Sequence, residues 1–193
     1  MTDLWLILIS TVLVNNLVLT RFLGLCPMLG ASRSLAAAVA MSFATAFVLT
    51  VSCALTWLVQ RYLLEPFAIE YLRLLVFITL IAALAQLTDT LVSEINPLLH
   101  RILGLYVPLI ASNCACLDVG VLNVMEARSF VHAVVYGFGT AAGFALVLIV
   151  FAGARERLAN PAVPLAFRGA GIALVTAGML SLAFMGFAGV GGV

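Results

Sequence analysis

Apolar stretches recur along the whole length of this 193-residue chain, and each is close to the ~20 residues that an α-helix needs to cross a bilayer. Apolar residues make up 65% of the chain and charged residues 9%, which is more hydrophobic than the core of a water-soluble protein requires. The connections between the stretches are too short for a separately folded soluble unit. The sequence therefore predicts an all-α polytopic membrane protein with a single transmembrane domain over residues 1–193.

Six apolar segments are predicted as transmembrane helices, so both termini lie on one side of the membrane. The segments cover approximately 4–23, 35–59, 71–92, 98–123, 131–153 and 169–190. The first, third and fifth connections hold Arg21, Arg33, Arg101, Arg155, Arg157 and Arg168, whereas the other two hold Arg61, Arg73 and Arg128. Because cytoplasmic loops carry the excess of positive charge, we expect both termini outside the cytoplasm. Arginines scattered over loops, with a net charge of +1, also argue against nucleic-acid binding.

The two halves of the chain resemble each other weakly. A shift of 95 residues aligns several identical residues, among them Phe43 with Phe138, Thr45 with Thr140 and Pro66 with Pro161. A shift of 88 residues aligns Cys26 with Cys114. Since three crossings end on the opposite face of the membrane, a repeated three-helix half has to be inverted. We therefore predict two inverted three-helix repeats, over approximately 4–92 and 98–190; chance identity in apolar sequence is the alternative.

Two of the six segments contain residues that interrupt a helix. In the first segment these residues are Gly24, Cys26, Pro27 and Gly30. Proline lacks a backbone donor and disfavours helical geometry at the preceding residue, which is Cys26. The fourth segment has a corresponding set, namely Gly104, Pro108, Ser112, Asn113 and Cys114. We predict broken first and fourth helices whose cysteines meet near the bilayer midplane, where membrane proteins built from inverted repeats place their sites.

The cysteines are the candidate metal ligands, because thiolates are soft ligands and redox groups. Cys26 and Cys114 form the predicted pair, although free cysteine is often only a small buried packing residue. Packing is the favoured interpretation of Cys53, in the middle of the second segment. On a helix Cys116 points about 200° away from Cys114 and does not readily bind the same iron. No hydrolase, zinc or nucleotide motif is visible, so we predict no catalytic residue.

Polar side chains beside the interruptions allow two interpretations. Asn15, Asn16 and Asn113 either hydrogen-bond neighbouring helices, as asparagine in membrane spans often does, or donate to a sulfur-rich centre and tune its potential. Asp89 and Asp118 either lie on an ion path or mark the ends of spans.

Several ordered motifs carry a family resemblance. They are Leu13 to Gly30, Pro108 to Ala115 with Asn-Cys-Ala, Tyr136-Gly-Phe-Gly, Arg155-Glu-Arg, and Phe167-Arg-Gly through Thr176-Ala-Gly. Together they resemble the RnfA/RsxA family of ion-translocating oxidoreductase subunits. The chain is also similar to the E subunit of the Na+-translocating NADH:quinone oxidoreductase. The resemblance spans essentially all 193 residues.

The resemblance implies a six-span subunit of an Rnf-type complex in the bacterial inner membrane, with both termini periplasmic. Such a complex is a translocase that passes electrons between NAD(H) and ferredoxin while moving Na+ or H+. In the family, the cysteines that match Cys26 and Cys114 supply two ligands of a 2Fe-2S cluster. A homologous subunit of opposite topology, RnfE, supplies the other two ligands. Other subunits carry the flavins and further iron-sulfur centres, so this chain is not expected to be catalytic alone.

Two residues depart from the family pattern after Asn-Cys-Ala, namely Cys116 and Asp118. Cys116 is therefore an alternative ligand, and Asp118 a candidate for an altered ion path. From the residues alone, two other functions stay open. One is a secondary transporter with inverted repeats, in which the cysteines only pack, and the other is a structural subunit without a redox centre.

Overall fold

The computed structural model describes residues 8, 11–12, 16–32, 34–67, 70–95, 107–111, 113–125, 129–158 and 169–188. Within these ranges the chain forms helices and no strand. The main helices are α1 (Leu17–Arg21), α2 (Leu25–Ala31), α3 (Leu35–Val59), α4 (Arg73–Ile95), α5 (Val107–Ala111), α6 (Cys114–Met125), α7 (Phe130–Leu158) and α8 (Ala170–Ala188). A π-helical turn, Gln60–Leu64, continues α3.

Three of the described helices are long and apolar enough to cross a membrane: α3 with its π-helical turn, α4 and α7. They correspond to the second, third and fifth predicted segments. The start and end of α3 coincide with the predicted 35–59, whereas α7 extends past 153 to Leu158. The extension contains Arg155-Glu-Arg. The helix continues into this polar sequence because its backbone hydrogen bonds are still made there.

The helices α3 and α7 run antiparallel and pack against each other more extensively than any other described pair. Trp57, near the end of α3, makes an edge contact with Phe130 at the start of α7, with ring centroids 5.4 Å apart. At the opposite end Arg155, on the last turns of α7, donates to Ser32 just before α3. The first and fifth connections therefore lie at the same end of the helix pair.

Glycines on α7 allow its close packing with two neighbours. A Cβ added to Gly137 would lie 2.7 Å from Cβ of Cys53, so α3 touches the α7 backbone there. Gly139 and Gly143, spaced as in the small-xxx-small motif of membrane helices, face Thr11 and Asn16 of the first segment. The helix α7 is thus packed between the first segment and α3. Cys53 is wholly buried in this core, as its packing interpretation predicts.

The interruption in the first segment lies at the first of its predicted residues, Gly24, and not at Cys26 or Pro27. Cys26 and Pro27 are the second and third residues of α2, so the prediction that proline keeps Cys26 out of a helix is wrong. A backbone N–H in the first turn of a helix has no intrahelical partner, so proline, which lacks this N–H, costs no hydrogen bond there. The chain turns instead at Phe22 and Gly24, whose φ angles are +54° and +83°. Glycine adopts this left-handed geometry without steric cost.

Candidate site at the crossing of the two interrupted helices

Polar groups hold α1, the helix before the first interruption, against its neighbours. The Asn16 side chain caps α1, because its Oδ1 accepts from the Val18 N–H at 3.2 Å. Its Nδ2 donates to the carbonyl oxygen of Gly143 on α7 at 3.0 Å. Further along, the Ser181 hydroxyl of α8 donates to the carbonyl oxygen of Leu19 at 2.8 Å. Backbone and amide groups that a continuous helix would pair internally are therefore paired with α7 and α8.

The second interruption lies at Asn113, between α5 and α6. The Asn113 N–H donates to the carbonyl oxygen of Ile110 at 3.2 Å, near the end of α5. Its side-chain Oδ1 accepts from the Ala115 N–H at 3.0 Å and caps α6. Cys114 is consequently the first residue of a capped helix.

The two interruptions touch each other at a contact between Gly24 and Cys114, which we call the crossing. The backbone N–H of Gly24 donates to Sγ of Cys114 at 3.2 Å, across 90 residues of sequence. A Cβ on Gly24 would lie 2.9 Å from Cε2 of Phe144 and 3.4 Å from Oδ1 of Asn113. A side chain larger than hydrogen at this position has to displace its neighbours. The close approach of the two segments therefore depends on glycine at position 24.

The four cysteines are free thiols with different surroundings. Cys26 is exposed and Cys114 is half-buried, whereas Cys53 and Cys116 are wholly buried in the apolar core. Cys26 and Cys114 stand in the first turns of the two helices that follow the interruptions, α2 and α6. Of the four, only these two thiols are accessible to a ligand from outside the chain.

Within the described ranges, no group of three or more His, Cys, Asp or Glu side chains is gathered closely enough to hold a metal ion. The two accessible thiols, of Cys26 and Cys114, would fit a cluster whose remaining ligands come from another chain. A second observation also fits: Nδ2 of Asn113 is buried and has no hydrogen-bond partner among the described residues. A buried donor left in this state costs about 1–3 kcal/mol, so a nearby anionic acceptor would be favourable.

An ion pair adds a second link between the two interrupted segments. Nη1 of Arg21, the last residue of α1, lies 3.4 Å from Oδ2 of Asp118. Asp118 stands four residues after Cys114 on α6 and so shares its helical face. Arg21 is 53% and Asp118 26% exposed in this chain, so the pair lies at the surface.

Arg155 stabilises the end of α2. Its Nη1 donates to the carbonyl oxygen of Leu29 at 3.0 Å and to the hydroxyl of Ser32 at 2.7 Å. The sequence assigns Arg155 to the fifth connection, but the residue lies on α7, is half-buried and binds the helix that carries Cys26. A cation at a helix C-terminus also interacts favourably with the helix dipole.

Sequence reasoning misses Arg155 and Ser181 as residues that hold the site together. It identifies Gly24 as a residue that interrupts a helix, but the contact of Gly24 with Cys114 is not readable from local sequence. Asn15, also singled out by the sequence, lies outside the described residues.

Comparison with known proteins gives the same family as the sequence motifs. The family model described as Rnf-Nqr subunit, membrane protein, matches residues 4–191. Three proteins named as the A subunit of the ion-translocating oxidoreductase complex align with this chain over 190 residues. The one from Alkalilimnicola ehrlichii is 57% identical and covers 98% of both chains. Those from Shewanella denitrificans and Aliivibrio fischeri are 55% and 53% identical, with 98% of this chain and 99% and 98% of theirs covered. This chain therefore belongs to the Rnf-Nqr family of membrane protein subunits.

Proposed function

We propose that this chain is a membrane subunit of an Rnf-type ion-translocating oxidoreductase and that Cys26 and Cys114 supply two ligands of a shared 2Fe-2S cluster. The observation that carries the proposal is the hydrogen bond from Gly24 N–H to Cys114 Sγ. It brings the turn that precedes Cys26 into contact with Cys114, at the start of α6. The relatives, which are named for the A subunit of such a complex, support the assignment to a membrane complex.

The residues around the crossing have distinct roles in this proposal. Gly24 N–H orients the Cys114 sulfur, and Arg155 fixes the end of the helix that carries Cys26. When bound, a 2Fe-2S cluster takes up and releases one electron at a time. Hydrogen bonds to the ligand sulfurs and burial are the means by which a protein sets the potential of such a centre. The apolar packing of Phe144 against Gly24 supplies part of that burial.

The proposal requires a partner, because two thiols leave the cluster incomplete. We assign the other two ligands to a homologous membrane subunit of opposite topology, RnfE-like, seated over the exposed Cys26. Flavins and further iron-sulfur centres belong to other subunits of the complex. NAD(H) and ferredoxin reach this chain only through them, and Na+ or H+ moves as electrons pass. The chain belongs to a translocase but is not a catalyst on its own.

We also propose that the chain has six spans arranged as inverted repeats over approximately 4–92 and 98–190. The antiparallel packing of α3 against α7 is what an inverted repeat requires of corresponding helices. Two residue pairs aligned by the shift of 95 have similar burial: Phe43 and Phe138 are 75% and 59% exposed, whereas Thr45 and Thr140 are 0% and 4% exposed. Chance identity does not require such agreement.

For the orientation, we propose a multi-pass protein of the bacterial inner membrane with both termini periplasmic. The contact of Arg155 with Ser32 supports it, because the first and fifth connections then share one end, as six successive spans demand. The predicted excess of arginine at that end favours a cytoplasmic location for the first and fifth connections, and therefore a periplasmic one for the termini.

Cysteine variants of the purified complex test the proposed cluster. We expect Cys26→Ser and Cys114→Ser each to remove the absorption and EPR signal of one 2Fe-2S cluster while the other subunits still co-purify. The matched controls are Cys53→Ala and Cys116→Ala, at the two wholly buried cysteines, and both are expected to keep the signal.

Three results would contradict the assignment. Full cluster content and electron transfer in both serine variants would refute a cluster at the crossing. Loss of the signal in Cys116→Ala together with its retention in Cys114→Ser would move the ligand to Cys116. Substrate or ion transport by the reconstituted chain without partners would favour a secondary transporter.

A further inference from the structure

Asn16, which caps α1, and Asn113, which caps α6, differ in how their side-chain amides are used. Both are buried, each with 2% exposure. The Asn16 amide is fully occupied: Oδ1 accepts from Val18 N–H, and Nδ2 donates to the carbonyl oxygens of Val12 and Gly143. Asn16 therefore has no donor left for any other group.

The Asn113 amide is only half used. Its Oδ1 accepts from the Ala115 N–H, which fixes the side chain at the start of α6. Its Nδ2 has no partner in the described part of the chain, although the atom is buried. Protein side chains rarely leave a buried donor unpaired, and such a group in a native structure calls for a missing acceptor.

The surroundings identify the kind of acceptor. The Asn113 side chain packs against Gly24, whose N–H is bonded to Cys114 Sγ, so the unpaired donor belongs to the same crossing as the thiols. Other buried side-chain atoms without a partner in the described ranges lie elsewhere in the fold: Oε1 of Gln60 and Oδ1 of Asn123, which are acceptors, and the hydroxyl of Thr45 on α3. A donor beside thiolate ligands suits an anionic sulfur-rich group.

We propose that the Asn113 side-chain amide donates a hydrogen bond to the sulfur atoms of the cluster held by Cys26 and Cys114, and thereby raises its reduction potential. The inference rests on the proposed function and adds a residue that is not a ligand. Reduction adds negative charge to the cluster, and a hydrogen bond to its sulfurs stabilises the more negative state. The oxidised state gains less from the same donor.

Two substitutions of Asn113 distinguish the loss of its N–H donor from the loss of the α6 cap and from the addition of a charge. Asn113→Asp keeps an oxygen that caps α6 and removes the N–H donors, and Asn113→Gly removes the donors without adding charge at a small cost to the cap. In an EPR-monitored redox titration of the purified complex, we expect both to lower the reduced-to-oxidised ratio at a fixed ambient potential about tenfold. That corresponds to a fall of about 59 mV in midpoint potential for one electron.

Pulsed EPR of the reduced complex, with 15N-labelled asparagine, gives a second readout. We expect a 15N coupling in the unsubstituted complex that is absent in Asn113→Gly. The matched control, Asn16→Gly, changes the asparagine that caps α1 and has both amide donors paired; it is expected to lower thermal stability while keeping both potential and coupling.

The outcomes distinguish this inference from the proposed function. If the cluster signal depends on Cys114 but Asn113→Gly keeps the original potential and coupling, the inference alone is refuted. A shift in Asn113→Asp without one in Asn113→Gly would trace the effect to added charge and also refute it. If the signal does not depend on Cys114, the proposed function fails and the inference fails with it.

Discussion

The backbone N–H of Gly24 lies 3.2 Å from Sγ of Cys114, and this bond joins two interruptions that are 90 residues apart in sequence. Both segments are apolar and would gain little from contact in lipid, where the hydrophobic effect does not drive helices together. Their association depends instead on specific polar contacts and close packing. The residues that make those contacts are therefore the ones whose substitution is most informative.

Replacing Gly24 by alanine should displace the crossing. A non-glycine residue in the left-handed region costs about 1–2 kcal/mol, and the new Cβ would also lie 2.9 Å from Phe144. We expect Gly24→Ala to destabilise the chain by about 2 kcal/mol or more in thermal unfolding of the solubilised complex.

Two other glycines serve as controls for this substitution. Gly169 also has a positive φ, +96°, but a Cβ there meets nothing within 4 Å, so Gly169→Ala measures backbone strain alone. Gly153 lies within α7 with open space around it, and Gly153→Ala should be neutral or slightly stabilising. Equal losses in Gly24→Ala and Gly169→Ala would show that crowding against Phe144 contributes nothing.

Arg155 should contribute to stability through the end of α2. Arg155→Gln removes a charged donor from the Leu29 carbonyl and the Ser32 hydroxyl, and hydrogen bonds to charged groups contribute about 1.5–3 kcal/mol. We expect a loss of about 2 kcal/mol on the same unfolding assay. The control is Arg157→Gln, two residues later and exposed, which should change stability little. Equal effects of the two variants would count against a specific role for Arg155.

Ser181 should anchor α8 to the first interruption. Ser181→Ala leaves the Leu19 carbonyl oxygen without its donor and is expected to cost about 1 kcal/mol. Thr176→Ala on the same helix removes only a bond to the carbonyl oxygen of Ile172, within α8, and should be close to neutral. Greater destabilisation by Thr176→Ala than by Ser181→Ala would refute the anchoring role.

The Arg21 and Asp118 pair should influence the site through charge balance. Arg21→Gln leaves a lone carboxylate one helical turn from Cys114, which opposes addition of an electron to the proposed cluster. Because the pair is partly exposed, we expect an effect of about twofold on the reduced-to-oxidised ratio at fixed potential. The double variant Arg21→Gln with Asp118→Asn should restore the original ratio. Identical ratios in the single and double variants would exclude this charge effect.

Local sequence predicts the elements of this fold better than it predicts their contacts. The bounds of α3 follow from an uninterrupted apolar run between Ser34 and Gln60, and the structure matches them. The two interruptions follow from glycine, proline and asparagine in otherwise apolar segments. Which of the predicted residues makes the first interruption is not readable from sequence, because proline is tolerated in the first turn of a helix and the chain turns at Gly24.

The candidate site is predicted in part. A thiol pair beside matching interruptions is enough, from the residue pattern alone, to identify Cys26 and Cys114 as candidates. Which asparagine retains a free donor is not readable from sequence, because it depends on whether a neighbouring helix supplies an acceptor. The carbonyl of Gly143 takes the donor of Asn16, while no described group takes that of Asn113.

The hydrogen bonds that hold α1 and α2 also set the order in which the fold is completed during biosynthesis. Asn16 pairs with a residue 127 positions later, Leu29 with one 126 positions later, and Leu19 with one 162 positions later. A ribosome releases these partners long after the first segment has entered the membrane. The first interrupted helix consequently reaches its final packing only after α7 and α8 have been inserted. The segment that carries Cys26 is therefore among the first to be synthesised and among the last to reach its final packing.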